Sequence, residues 1–231
     1  MANNLKVSEM FYSIQGEGRY AGTPAVFLRM KSCNLLCDWC DTIEVWKKGE
    51  PYNYEELIKL WDKNGWLDKL ISEKSHLVIT GGEPLLQQKK LENFLEYLGE
   101  NVFVEIETNC TKIPTEKFDK YIKQYNVSPK LANSRMPENK RYKPEVIKWF
   151  SIKENADFKF VIVNREDVNE LIREFVNRYQ IINYHVYLMP ESTTKKELEM
   201  RSSLVIEASK EYGFNYSPRL QLSIWNEVTG I

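Results

Sequence analysis

Short apolar runs alternate with amphipathic stretches along the 231-residue chain. The runs 25–30, 76–80, 102–107, 158–163 and 185–189 read as strands, because each is too brief for a helix and carries no helical period. Residues 6–15 alternate more loosely. Apolar positions recur at helical spacing over 54–71, with a break near Asn64-Gly65, and over 85–98, where Gly99 ends the pattern. Further helices are predicted over 115–125, 145–150, 167–179 and 195–212, the last ending at Gly213. Residues 131–145 read as a long basic loop, solvated or covering a ligand. The polar stretch around Gly49 and Pro51 shows no period. The tail 214–231 carries Leu220, Leu222, Ile224 and Trp225, which predicts a final strand or a docked segment.

Strands alternating with helices at spacings of roughly 25–30 residues predict βαβ units and a parallel sheet. Several chemically suggestive stretches fall just after strands, at the end where parallel α/β folds bind ligands. They are the cysteine-rich loop, Gly-Gly-Glu-Pro, Glu-Thr-Asn, Ser-Pro-Lys and Met-Pro-Glu. About six strands are too few for a closed eight-stranded barrel. Periodicity alone does not separate a partial barrel from an open doubly wound sheet.

Composition narrows the class. Hydrophobic residues at 42% and charged residues at 28% fit one globular domain spanning 1–231. A net charge of −1 argues against a broad nucleic-acid surface. No apolar run is long enough for a membrane span, and the first residues hold no signal-peptide core. Four cysteines, three of them clustered, make no disulfide framework; they point to a reducing compartment, the cytoplasm, and to metal chemistry.

Cys33, Cys37 and Cys40 lie within eight residues, close enough for their thiolates to converge on one site. Structural zinc wants four ligands, and only His76 and His185 could complete such a set, neither at a finger-like spacing. A 4Fe–4S cluster on three cysteines leaves one iron open. A non-enzymatic zinc-binding module and a chance run of buried thiols are the alternatives. Arg29 inside an apolar run needs an anionic or carbonyl partner, as an ion pair or as a ligand clamp. Gly16 and Gly18 flank Glu17 in a tight turn or a ligand loop. Thr80-Gly81-Gly82-Glu83-Pro84 lacks the Lys-Ser/Thr of a P-loop, but offers bare backbone and a carboxylate.

The C-x3-C-x2-C spacing, Trp39 before the last cysteine, and Gly-Gly-Glu-Pro resemble the radical S-adenosylmethionine (SAM) superfamily. Within it the chain resembles the 7-carboxy-7-deazaguanine synthase family from start to finish. The landmarks are Ile14-Gln-Gly-Glu-Gly18, Phe27-Leu-Arg29, Trp39-Cys40-Asp41-Thr42, Glu107-Thr-Asn109 and Ser128-Pro-Lys130. A glycyl-radical activase would share the cluster motif but not the Gln-Gly-Glu-Gly and Cys-Asp-Thr segments.

The resemblance implies an α/β fold of radical SAM type, a partial TIM-like barrel of about six parallel strands with outer helices. It implies a lyase that converts 6-carboxy-5,6,7,8-tetrahydropterin to 7-carboxy-7-deazaguanine with loss of ammonia, in queuosine and 7-deazapurine biosynthesis. The implied cofactors are a 4Fe–4S cluster on Cys33, Cys37 and Cys40, SAM, and Mg2+ at Thr42. Trp39, Asp41, Gly82, Glu83, Ser128, Pro129, Lys130, Met189, Pro190 and Glu191 are implied to line SAM. Ile14, Gln15, Gly16, Glu17, Arg29 and Thr80 are implied to hold the pterin, with Glu17, Arg29 and Thr42 closest to the chemistry. Segment 214–231 is implied to close the substrate site, bringing Gln221 and the Ile231 carboxylate to it. A flavodoxin- or ferredoxin-type reductant and a homodimer are implied partners. Two departures stand out: Cys110 replaces the family's Gly after Glu-Thr-Asn, and Gln221 or Ser223, depending on register, lies where the family has a histidine.

Overall fold

The computed structural model describes residues 4–226, 228 and 230. Among them the strands are β1 (Asn4–Ile14), β2 (Pro24–Met30), β3 (Glu50–Asn53), β4 (His76–Gly81), β5 (Val104–Thr108), β6 (Ile122–Val127), β7 (Ala156–Ile162), β8 (Val186–Pro190) and β9 (Asn215–Tyr216). They form one sheet in the order β3-β1-β2-β4-β5-β6-β7-β8-β9. β1 runs antiparallel to β2 and β3, and every pairing from β2 to β9 is parallel. The fold is thus α/β with a mostly parallel sheet. No helix among the described residues is long and apolar enough to cross a membrane.

Side chains alternate across a strand, and here the two faces differ in chemistry. Val26, Leu28, Leu77, Ile79, Val104, Ile106, Tyr125, Val127, Phe158, Phe160, Val186 and Leu188 point to one face and join the main core. Helices Tyr54–Lys63, Gln88–Leu98, Pro144–Ser151, Arg165–Leu171 and Lys195–Tyr212 cover that face with Trp61, Phe94, Phe150, Leu171 and Val205. The intervening positions on the other face are mostly polar: Glu105 and Glu107 on β5, Gln124 and Asn126 on β6, Asp157 and Lys159 on β7. Glu105, Gln124, Asn126 and Asp157 are all nearly inaccessible to solvent. They therefore satisfy one another: Asn126 donates to Glu105 at 2.8 Å, Gln124 to Asp157 at 2.8 Å, and His76 pairs with Glu105 at 2.6 Å.

The pattern predicts most elements and misplaces a few. The long C-terminal helix has the expected bounds, fixed by a Thr194/Glu197 capping box and by Gly213 at φ 67°. Gly65, at φ 70°, breaks the earlier helix where expected. The predicted helix 115–125 is only the turn Glu116–Asp119, and β6 begins three residues later. Only Gln124 to Val127 alternate polar and core-facing residues, and an irregular register at Lys123 puts Ile122 out of phase with them, so the strand signal is short. The stretch read as polar and aperiodic contains β3, an edge strand that tolerates Pro51 because only one of its sides pairs. The long basic loop holds a helix, Glu138–Arg141, whose buried Arg141 pairs with Glu170 at 3.0 Å. The predicted strand 185–189 begins one residue later, leaving His185 in a 3-10 turn with Nδ1 2.8 Å from Asp157. The tail forms two-residue β9 and the helix Leu220–Trp225.

Candidate active site

A cleft of about 610 Å³ opens at the carboxyl ends of the parallel strands. One wall is the cysteine loop that follows β2. Ser32 turns the chain at φ 77°, and its carbonyl accepts the Glu83 N–H at 2.9 Å. The following glycines make this approach feasible. A Cβ on Gly81 would sit 2.6 Å from the Met30 nitrogen, and one on Gly82 would sit 2.7 Å from the Cys33 Cβ. Glu83 is fully buried behind the wall. Its carboxylate accepts from the Leu85 and Asn109 N–H groups at 2.9 and 2.7 Å and from the Thr108 hydroxyl at 3.0 Å, tying the end of β4 to the end of β5. Burial pushes its pKa up. Pro129 and Pro190 are likewise buried and are not among the residues that face the cleft.

Cys33, Cys37 and Cys40 are half-buried and all line the cleft. Burial raises the Cys33 thiol to about 11 and pushes Cys37 up as well. N–H groups nevertheless surround the sulfurs. Leu35 N–H donates to Cys33 Sγ at 3.4 Å, Asn109 Nδ2 to the same sulfur at 3.7 Å, and Trp46 Nε1 to Cys40 Sγ at 3.4 Å. Thiols that burial disfavours as anions, yet with donors aimed at their sulfurs, fit ligation by a positively charged iron centre. Among the described residues no three His, Cys, Asp or Glu side chains converge as ligands of a single ion. Three thiols on one loop are the ligand number that leaves one iron of a 4Fe–4S cluster open. Cys110 is fully buried, at φ 64°, and takes no part in the cleft.

Next to the cysteines, Lys130 donates to the Ser128 carbonyl and hydroxyl at 2.8 Å each and lies 5.5 Å above the Trp39 ring. Burial lowers the Lys130 pKa. Trp39 is held in turn by Asn133, which accepts from its Nε1 at 3.2 Å and donates to the Val161 carbonyl at 2.9 Å. Gly82, Met189 and Glu191 border the same region, and Glu191 pairs with Arg201 at 2.9 Å. Thr42 precedes the turn Ile43–Trp46 without capping it, its hydroxyl 3.9 Å from Cys40 Sγ.

The opposite wall comes from the loop after β1. Gln15 closes it through bonds with Thr23 and Gly22, both 2.7 Å. Gln15 and Thr80 both reach Glu107, at 3.4 and 2.7 Å. Arg29 lines the cleft while pairing with Glu9 at 2.7 Å, so it combines the ion-pair and cleft-facing readings of the sequence. Glu17 meets Lys159 through Oε2, and its Oε1 accepts from Arg219 at 3.1 Å and from Gln221 at 2.7 Å. Burial opposes its charge, but Lys159 and Arg219 outweigh that and hold Glu17 at about 2. Gln221 packs on Gly16, where a Cβ would come 3.0 Å from the Gln221 Cδ. Ile14, Gly16 and Asp41 complete the cleft-facing set; Ile231 lies outside the described residues.

The cleft also contains residues that the sequence did not single out. Lys159 carries a legible signal, a lone cation within an apolar strand, the same signal that marks Arg29. Asn126 carries none, and Arg219 sits in an aperiodic tail.

Together, parallel strands, a three-thiol loop and an opposed charged wall define an α/β iron–sulfur domain. Residues 14–131 match the family model described as a 4Fe-4S single cluster domain. The 7-carboxy-7-deazaguanine synthase of Pyrobaculum aerophilum is 34% identical over 229 residues, covering 98% of this chain and 97% of that protein. Its counterpart in Hyperthermus butylicus is 36% identical over 227 residues, covering 95% and 92%. The chain belongs to the 7-carboxy-7-deazaguanine synthase family. In fold it is similar to QueE from Escherichia coli, with a TM-score of 0.69 and 24% identity over 93% of each chain. Streptococcus suis SuiB, solved with S-adenosylmethionine, shares the fold at a TM-score of 0.52 and 17% identity, over 82% of this chain and 45% of that one.

Proposed function

We propose that this chain rearranges 6-carboxy-5,6,7,8-tetrahydropterin to 7-carboxy-7-deazaguanine with loss of ammonia. The observation that carries this reading is the meeting, in one cleft, of three thiols on one wall with Glu17, Arg29 and Thr80 on the other. A 4Fe–4S cluster held by Cys33, Cys37 and Cys40, with SAM at its open iron, would supply the radical that starts the rearrangement. The protein's own part is to bind, orient and shield. Trp39, Asp41, Gly82, Ser128, Lys130, Met189 and Glu191, which line the cleft, would contact SAM; Glu83, Pro129 and Pro190 would support that wall from behind. Arg29 offers to the substrate carboxylate the guanidinium N–H groups that do not pair with Glu9 among the described residues.

Glu17 stays ionised throughout the neutral range. The one lone pair left, on Oε2, suits a single N–H of the pterin edge. Ile14, Gln15, Gly16 and Thr80 complete that side. Gln221 gives hydrogen bonds where a histidine would also carry a proton. The Thr42 hydroxyl is our choice for Mg2+, with substrate oxygens and water filling the shell. The buried polar face of β5 to β7 supports a sheet curled into a partial barrel around the site. We read 1–231 as one domain, with the tail from residue 214 closing the substrate side. A flavodoxin- or ferredoxin-type reductant, a homodimer and a cytoplasmic setting complete the reading on resemblance alone.

Anaerobic incubation with SAM, reductant and the carboxytetrahydropterin tests the reaction. The expected result is a product whose mass has fallen by one ammonia. SAM cleavage with the pterin left unchanged would contradict the proposed substrate.

A further inference from the structure

Arg219 is the most heavily committed cation in the cleft. Its side chain is 7% exposed, and a guanidinium is kept in such a place only when its donors are matched. Three separate segments supply the matches. Nε donates to Glu17 on the loop after β1 at 3.1 Å. One terminal nitrogen pairs with Asp41, the residue after the last clustered cysteine, and the other donates to the Ser192 carbonyl beyond β8. Neighbouring residues of the tail grip the same loop. The Gly18 N–H donates to Ser217 Oγ at 2.9 Å, the Leu220 N–H to the Gly16 carbonyl at 3.1 Å, and Gln221 to Glu17 at 2.7 Å.

Among the described residues no backbone hydrogen bond joins loop 15–23 to the cysteine loop 31–42. Arg219 spans them through its side chain. With Lys159 on the far side of Glu17, both cations are bridged by that one carboxylate. The two arms are unequal. Glu17 is 14% exposed and Asp41 42%, so solvent screens the Asp41 arm more.

We propose that Arg219 is a positioning residue that clasps the tail across the cleft and holds the cysteine loop in register with Glu17. It thereby couples the wall that would carry the cofactors to the wall that would carry the substrate. The inference rests on the function proposed above for what each wall binds, but the clasp itself is a property of this chain's own residues.

Hydrogen exchange on anaerobically reconstituted protein tests it, comparing wild type with Arg219→Gln, Arg219→Lys and Asp41→Asn. The clasp predicts that Arg219→Gln speeds exchange of amides 214–226 and 15–18 by about ten-fold or more, while β4 to β7 and the iron content stay unchanged. Arg219→Lys, which can satisfy one arm at a time, should fall between. Asp41→Asn should loosen the tail less than Arg219→Gln. In turnover, Arg219→Gln should raise KM for the pterin by about ten-fold and release 5′-deoxyadenosine without matching product. Wild-type exchange in 214–226 for Arg219→Gln would overturn the clasp. Equal loosening of all strands in both Arg219 variants would overturn it too, by showing a general structural role. Failure of the wild type to convert the pterin would refute the proposed reaction, while the exchange comparison would still decide the clasp.

Discussion

Glu17 has a lysine, an arginine and a glutamine arrayed on its two oxygens. Its carboxyl titrates at about 2 in the folded chain against 4.5 for the free group. The folded form binds its proton less tightly, so the pair network adds stability above pH 4.5 and loses it as pH falls towards 2. A shift of this size corresponds to about 3 kcal/mol. The wild-type melting temperature should therefore drop through that window, and Glu17→Gln should flatten the drop while melting lower at pH 7; parallel pH profiles would contradict it. The cysteines divide as sharply. Cys37→Ala should lose the iron and the broad visible absorption, whereas Cys110→Ala should keep both, because the Cys110 sulfur is buried away from the cleft. At this scale the sequence was most informative where a residue type clashed with its surroundings. Clustered thiols and an arginine in an apolar run announce themselves; Arg219 does not, because its partners lie 202 and 178 residues away.

Elements place these side chains, and the glycines after β4 show how closely. Gly82→Ala would drive a methyl group against the Cys33 Cβ and the Ser32 carbonyl. We expect it to lower iron retained per chain severalfold with the circular dichroism spectrum intact. Gly65→Ala, which has open space around it but φ 70°, should cost only about 1 kcal/mol and leave iron content alone. Helices with strong caps were legible: Thr194 with Glu197, and Gly213 at the other end, bracket Lys195–Tyr212. β6 was not, since the irregular register at its start leaves only Gln124 to Val127 in the two-residue rhythm. β3 was hidden by Pro51, acceptable only because the strand lies at the edge.

Across the molecule, the parallel sheet separates its two ends by function. The carboxyl ends carry the cleft; the opposite ends are closed by Arg19, whose guanidinium grips Asp157 at 2.6 and 2.7 Å while His185 and Gln124 reach the same carboxylate at 2.8 Å. Arg19 and Glu17 share one loop, so this foot also anchors the substrate wall. Asp157→Ala leaves the Arg19 guanidinium only the Tyr184 hydroxyl and should lower unfolding free energy by about 3 kcal/mol in denaturant titrations; an unchanged midpoint would refute the anchoring role. Strand–helix alternation made the parallel sheet legible, but not this plug, since its members are 138 residues apart.

The central claim is that three thiols hold an iron–sulfur cluster with one iron left for SAM. Its most direct test is the electron paramagnetic resonance spectrum of the reduced, anaerobically reconstituted protein, with and without SAM. The account predicts about four irons per chain and a signal whose g values shift when SAM binds. A full cluster whose spectrum ignores SAM would contradict it.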